Sequence, residues 1–182
     1  FIGRNGTKRV FLCGHSTGSQ KVTFYQEKTA DRRVKGLILL SPADDLNAWK
    51  KELGRKFNDT IALARKLYHK DKMAFVPIKI LGELRGAQRF FNLADERYAE
   101  GRIFNYARPK LTEFGKVRVP VLVVWGQKEE YLPSSIKECN QLLTKSSHSR
   151  NLQIKVMRGA GHSFKRHEKE LAGIVNGWLT KL

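Results

Sequence analysis

Acidic residues are scarce in this 182-residue chain: 17 Asp and Glu stand against 35 Lys and Arg, a net charge of +18. The excess is spread as isolated pairs such as Lys8-Arg9, Arg32-Arg33, Lys50-Lys51 and Lys165-Arg166. No block of basic residues is interleaved with aromatics, so the charge reads as a solvated surface and no nucleic-acid partner is expected. Cysteine is nearly absent. Cys13 and Cys139 are too few for a disulfide framework or a zinc cluster, and unpaired thiols suit a reducing cytoplasm. No apolar run approaches the roughly 20 residues of a membrane-spanning helix. Neither G-x-x-x-x-G-K-[ST] nor G-x-G-x-x-G occurs, which argues against nucleotide-cofactor chemistry. His69, His148 and His167 lack partners at metal-ligand spacing. No cofactor and no metal are expected.

What is present is a strand running into a sharp turn. Lys8–Cys13 ends in the apolar run Val10-Phe11-Leu12-Cys13, and Gly14-His15-Ser16-Thr17-Gly18 follows. Ser16–Thr29 then reads as a helix. A strand that feeds a helix through G-x-S-x-G raises the serine hydroxyl on a strained bend above a helix N-terminus. Glycines at 14 and 18 are expected to remove collisions around that bend. His15, inside the bend, reads as structural.

The rest of the chain alternates around one long insertion. Val34–Leu40, stopped by Ser41-Pro42, reads as a strand buried on both faces, joined to the first by a parallel crossover. Residues 43–109 lack a clear sheet strand, and Phe57, Ile61, Ala64 and Tyr68 recur at helical spacing. The stretch reads as an inserted, mainly helical cap. Its aromatics, Phe90, Phe91, Tyr98, Phe104 and Tyr106, read first as core, and on the inner face of a cap they also suggest an apolar or aromatic substrate portion beneath it. The sheet resumes over Val117–Gly126. A helix is expected near 134–144, a strand over Asn151–Met157, a tight loop at Gly159–Phe164, and a closing amphipathic helix over His167–Leu182. The cap thus divides a core made of 1–42 and 110–182. The chain opens almost directly on an inner strand with Phe1. It is therefore expected to be a fragment whose N-terminal strands, and any targeting signal with them, lie outside it.

In an open parallel sheet, reactive groups gather beyond the carboxyl ends of the strands. Four loops of this chain sit there. They hold Ser16; Ser41 to Asp45; Gln127 to Pro133; and His162. The order is serine, carboxylates, histidine. With GHSTG, then VPVLVVWG followed by QKEEYLP, then GAGHSF, the chain resembles the central and C-terminal part of an α/β-hydrolase of the serine esterase and lipase class. GHSTGSQ followed by LLSPADD is also similar to a group of poorly characterised hydrolases in that superfamily. The resemblance spans Gly14 to Phe164 and implies an α/β fold with a mostly parallel sheet, flanking helices and a helical lid.

What the resemblance implies for the residues is specific. Ser16 matches the nucleophile and His162 the base. Glu129 stands where the superfamily usually has aspartate; Glu130, Asp44 and Asp45 are the alternative acids, the last two doubling as caps of the next helix. The backbone N–H of Thr17 matches one oxyanion donor, and the second belongs to a loop outside this sequence. The expected activity is hydrolysis of a small-molecule carboxylic ester through an acyl-enzyme. Acyl transfer on the same residues and a non-catalytic binding protein on the same fold are the alternatives.

Overall fold

Two apolar runs make the middle of the sheet because every second residue on either side of them has something to pack against. The computed structural model describes residues 8–182; the polar approach read at residues 1–7 lies outside the described residues. In chain order the elements are β1 (Val10–His15), α1 (Thr17–Thr29), β2 (Val34–Leu40), α2 (Asp45–Leu53), α3 (Phe57–Lys70), β3 (Phe75–Ile80), β4 (Glu83–Gly86), α4 (Ala87–Ala94), α5 (Ala99–Ile103), β5 (Val121–Lys128), α6 (Ile136–Ser146), β6 (Leu152–Gly161) and α7 (Glu168–Leu179). The main sheet has the order β1-β2-β5-β6, with each neighbouring pair parallel.

β2 and β5 are the inner strands, and their alternation divides the core. Leu37, Leu39, Val121, Val123 and Trp125 join Cys139 and Leu143 of α6, with Val22 and Phe24 of α1 against them. Ile38, Leu122 and Val124 face the other way, onto Trp178 of α7 and onto Met157, Ala160 and Phe164. Each fully buried aliphatic side chain here contributes about 1.5–3 kcal/mol by leaving water. The helices before and after the insertion therefore cover one face, and the closing helix covers the other. Within α7, Trp178 is buried, while Leu171, Ile174, Val175 and Leu179 are half-buried along the same side.

The insertion has its own core. Trp49, Phe57, Ala64, Val76, Ile80, Phe90 and Phe91 form a cluster separate from the two against the sheet. Ile103, Phe104 and Tyr106, by contrast, pack with the sheet cluster. The segment is not free of strands, as its sequence had suggested. β3 and β4 pair antiparallel, with Ile80 opposite Glu83 across the two-residue turn Leu81-Gly82. Both turn residues have positive φ, 51° and 78°, which is the backbone that joins twisted strands most tightly. Pro77 is tolerated because this hairpin consists only of edges. Val76 and Ile80 are buried while Phe75, Pro77 and Lys79 are exposed, so the period of two is present in the sequence beneath the proline.

β6 also departs from expectation. It does not stop at Met157 but runs on through Gly159 and Ala160, where a tight loop was expected, and its last pair is Gly161 with Lys128. Gly126 permits this. A Cβ on Gly126 would lie 2.3 Å from the Gly161 carbonyl oxygen. The strands come that close only because Gly126 has no side chain; a Cβ on Gly161 would meet nothing nearer than 3.8 Å. Gly126→Ala should accordingly part the ends of β5 and β6. A loss of about 3 kcal/mol or more in urea unfolding is expected, and a near-neutral result would refute the close approach.

Candidate active site

The site is built from the residues that come directly after the strands. Ser16 follows β1, Ser41 follows β2, Glu129 follows β5 and His162 follows β6. Ladder bonds continue into these residues: Ser16 N donates to Leu40 O at 2.9 Å, and Ser41 N to Val124 O at 2.8 Å. The last rungs of the sheet thus fix where the first loop residues begin.

Ser16 sits at φ 54° and ψ −125°, a conformation that L residues rarely adopt, and its side chain makes no capping bond to α1. Backbone strain of this kind costs on the order of 1–3 kcal/mol and persists only where the surrounding structure enforces it. Gly14 makes the bend possible, because a Cβ there would lie 2.3 Å from Gly18 O and 2.5 Å from Ser19 N. Gly18 does not share that role: a Cβ on it would meet nothing within 4 Å. Ser19, buried, secures the bend from below by donating to Gly14 O at 2.8 Å.

β1 and β6 are the two edges of the described sheet, three places apart, or roughly 14 Å at normal strand spacing. The loop after β6 closes that gap by turning back over the strand ends. His15 Nε2 donates to the His162 carbonyl at 2.8 Å, and the two rings lie 5.0 Å apart. Phe164, at φ 54°, buries its ring against His15. Ser16, Thr17 and His162 consequently line a single cavity of about 340 Å³.

The His162 ring is held from its far side. Nδ1 donates to Glu129 Oε1 at 2.7 Å, which leaves Nε2 as the nitrogen Glu129 does not engage. Tyr131 packs edge-on against the ring at 4.6 Å, and its backbone N donates to the same Glu129 oxygen at 3.1 Å. Burial opposes ionisation of Glu129, but the bond and charge of His162 outweigh it and hold the carboxyl below the usual carboxylate range. The Glu129 side chain has no exposed surface. Its second oxygen and the Ser41 hydroxyl are both buried without a well-formed bond; the hydroxyl faces the carboxylate and adds to the stabilisation of its charge.

The other carboxylates are placed elsewhere. Asp44 caps α2, accepting from Asn47 N at 3.0 Å, and its other oxygen takes Tyr106 N at 2.9 Å. Glu130 accepts from the backbone N of His162 at 3.3 Å, not from its ring. Asp45 lines the cavity and accepts from Gln20 Nε2 at 2.9 Å. Burial pushes its pKa up to about 6, against the Gln20 bond and the nearby arginines. Thr17, the residue after the serine, opens α1, and its hydroxyl accepts from Arg89 Nη2 at 2.8 Å.

Sequence reasoning missed several lining residues. Arg85, Arg89 and Leu81 reach the cavity from the hairpin and from α4, and nothing in their local pattern signals it. The insertion's aromatics follow the first of their two readings and serve as core: Phe90, Phe91 and Phe104 are almost wholly buried in the two cores and do not line the cavity. Among the described residues no cluster of three His, Cys, Asp or Glu side chains is arranged to hold a metal, and no helix is long and apolar enough to cross a membrane.

A family model described as "Protein of unknown function (DUF1749)" matches residues 2–179. The chain belongs to the DUF1749 family. No curated protein matches it in sequence. Solved structures show the fold of this DUF1749 member. The monoacylglycerol lipase of Paleococcus ferrophilus is similar at 19% identity and TM-score 0.67, over 99% of this chain and 71% of that one. Est1E from Butyrivibrio proteoclasticus, solved with ferulic acid bound, is similar at 19% identity and TM-score 0.62, over 95% and 59%. MGS-M2, an α/β hydrolase enzyme from a Medee basin deep-sea metagenome library, matches at 14% identity and TM-score 0.58, over 98% and 68%. The DUF1749 chain thus has the α/β-hydrolase fold and spans between 59% and 71% of the lengths of these proteins.

Two outcomes test the local geometry. Gly14→Ala should lose about 3 kcal/mol or more, whereas Gly18→Ala should gain roughly 0.5–1 kcal/mol from helix propensity; chemical denaturation of the two variants reads both, and the reverse ranking would refute the bend as described. Asp45 carries a raised pKa, so its charge opposes folding above about pH 6 and has no effect below its ordinary 3.8. Asp45→Asn should raise Tm by roughly 2–4 °C or more at pH 7.5 and leave it unchanged near pH 3.5.

Proposed function

We propose that this protein is a serine hydrolase acting on carboxylic esters through an acyl-enzyme. The observation that carries the reading is the His162–Glu129 bond at 2.7 Å in a cavity that the strained Ser16 also lines. Esterase and lipase structures of the same fold support it.

The roles follow from chemistry. Ser16 Oγ attacks the ester carbonyl carbon while His162 Nε2 takes its proton, since a serine hydroxyl alone is a weak nucleophile. Glu129 holds the Nδ1–H tautomer and stabilises the imidazolium that forms. The negative charge on the former carbonyl oxygen turns toward the N–H of Thr17 at the start of α1. His162 returns the proton to the departing alcohol, which leaves Ser16 acylated. Water then gives a proton to His162 and adds to the acyl carbon; the acid departs and Ser16 recovers its proton. Residues 43–109 act as the lid that shapes the substrate pocket.

Glu129 is preferred over Asp44 because both Asp44 oxygens are committed to α2 and to Tyr106. A fluorophosphonate probe should label the protein at Ser16, and Ser16→Ala should abolish the label. Glu129→Gln should slow turnover of a p-nitrophenyl ester by roughly a thousandfold or more, and Asp44→Asn by far less in samples whose circular dichroism shows them folded. Failure to label folded protein would refute the enzyme reading, and a larger loss in Asp44→Asn would refute the assignment of the acid.

A further inference from the structure

The wall that the insertion turns toward Ser16 carries arginines where a lid over a neutral ester would be apolar. Arg89, on α4, donates Nη2 to the hydroxyl of Thr17, the residue after the nucleophile, at 2.8 Å. Arg85, on β4, lines the same cavity. Its Nη1 pairs with Glu83 Oε2 at 2.6 Å, and its Nε is buried without a partner. The guanidinium lies 5.8 Å from the centre of the Trp49 ring, which restrains its plane. Among the described residues no carboxylate pairs with Arg89. Each guanidinium carries five N–H donors, so both have donors to spare beside the reacting centre. The insertion's large aromatic side chains are turned away, because Trp49, Phe90 and Phe91 are packed in its own core, and its apolar contribution to the lining is Ala43, Ala48 and Leu81.

Two acids temper this charge and indicate which anion fits. Glu83 is mostly exposed and tied to Arg85. Asp45 faces the cavity with Oδ2 taken by Gln20. These two acids balance the two arginines, so the case rests on Arg89, the guanidinium that no carboxylate pairs among the described residues, and a single free guanidinium suits a singly charged carboxylate better than a phosphate dianion. A planar carboxylate also matches the fork of a guanidinium.

We propose that the substrate cleaved at Ser16 carries a free carboxylate, which Arg89 and Arg85 bind on the insertion side of the cavity. The proposal rests on the hydrolase reading above, and it adds a specificity that the triad does not supply. It separates the labour of the site: Ser16, His162 and Glu129 cut the ester, and the arginines choose which ester is presented.

The test compares two substrates of matched length, mono-p-nitrophenyl glutarate and p-nitrophenyl valerate. Wild-type protein should favour the glutarate ester in kcat/KM by roughly tenfold or more. Arg89→Met should collapse that ratio toward one, and Arg89→Lys should restore part of it. Lys110→Met, at an exposed site away from the cavity, should leave the ratio as it is. No preference for glutarate would overturn the proposal. So would an equal loss on both esters in Arg89→Met, which would place Arg89 at the transition state and not on a substrate anion. An equal loss of the ratio in Lys110→Met would show general attraction by a basic surface. Thermal shift keeps the proposal separable from the hydrolase reading. Free glutarate should raise Tm in wild type and not in Arg89→Met, whether or not the fluorophosphonate labels Ser16; no such shift in wild type would overturn carboxylate binding.

Discussion

The pairing of β5 with β6 to their final residues is the constraint on which the site depends. Lys128 and Gly161 are the last partners in that ladder, so Glu129 and His162 emerge side by side. Their hydrogen bond at 2.7 Å is a consequence of strand register before it is a property of the side chains. A carboxylate buried as deeply as Glu129 needs compensation to remain charged. It receives the imidazole on one oxygen, the Tyr131 amide on that same oxygen and the Ser41 hydroxyl beside the other. Had the ladder ended at Met157, the carboxylate and the imidazole would leave the sheet at different heights.

Unusual backbone is concentrated where strands give way to these loops. Ser16, Ser41 and Phe164 follow β1, β2 and β6, and Leu81 stands at the hairpin tip; all four have positive φ without being glycine. Each such residue costs of order 1–3 kcal/mol. The cost is borne by the surrounding packing: Ser41 and Phe164 are buried, and Ser16 is held by ladder bonds and by the Ser19 tie beneath it. Ala30, a left-handed residue closing α1, and Arg166, at φ 67° before α7, are the other two among the described residues. The sheet thus acts as a clamp that keeps short connections in conformations they would not choose alone.

Much of this was legible in the chain. The apolar runs at 34–40 and 121–126 could only be inner strands, and GHSTG, QKEEYLP and GAGHSF fell at the ends of strands in a recognisable order. Glu129 was singled out by resemblance to the α/β-hydrolase pattern after Gly126, and in the structure it accepts from His162 Nδ1. What could not be read depends on contacts between distant segments. The run of β6 through Gly159 needs the absent side chain of Gly126. The unneeded glycine at 18 looked like its partner at 14 because a motif does not say which glycine faces backbone. The hairpin was hidden by Pro77, a residue that forbids an inner strand but not an edge. Arg85 and Arg89 sit in a mixed stretch with no periodic message, and only the fold of the insertion carries them to Ser16.

The whole insertion hangs between β2 and β5 as one unbroken stretch of chain. Ser16 lies before it and Glu129 and His162 after it, each directly following a strand of the sheet. One part of the molecule can therefore drift while the other stands still. A descendant that rewrote the hairpin and α4 would keep Ser16, Glu129 and His162 in place and change only the wall they face. Recombination could achieve as much in one exchange, since two breakpoints suffice to replace that wall without disturbing the strand ends.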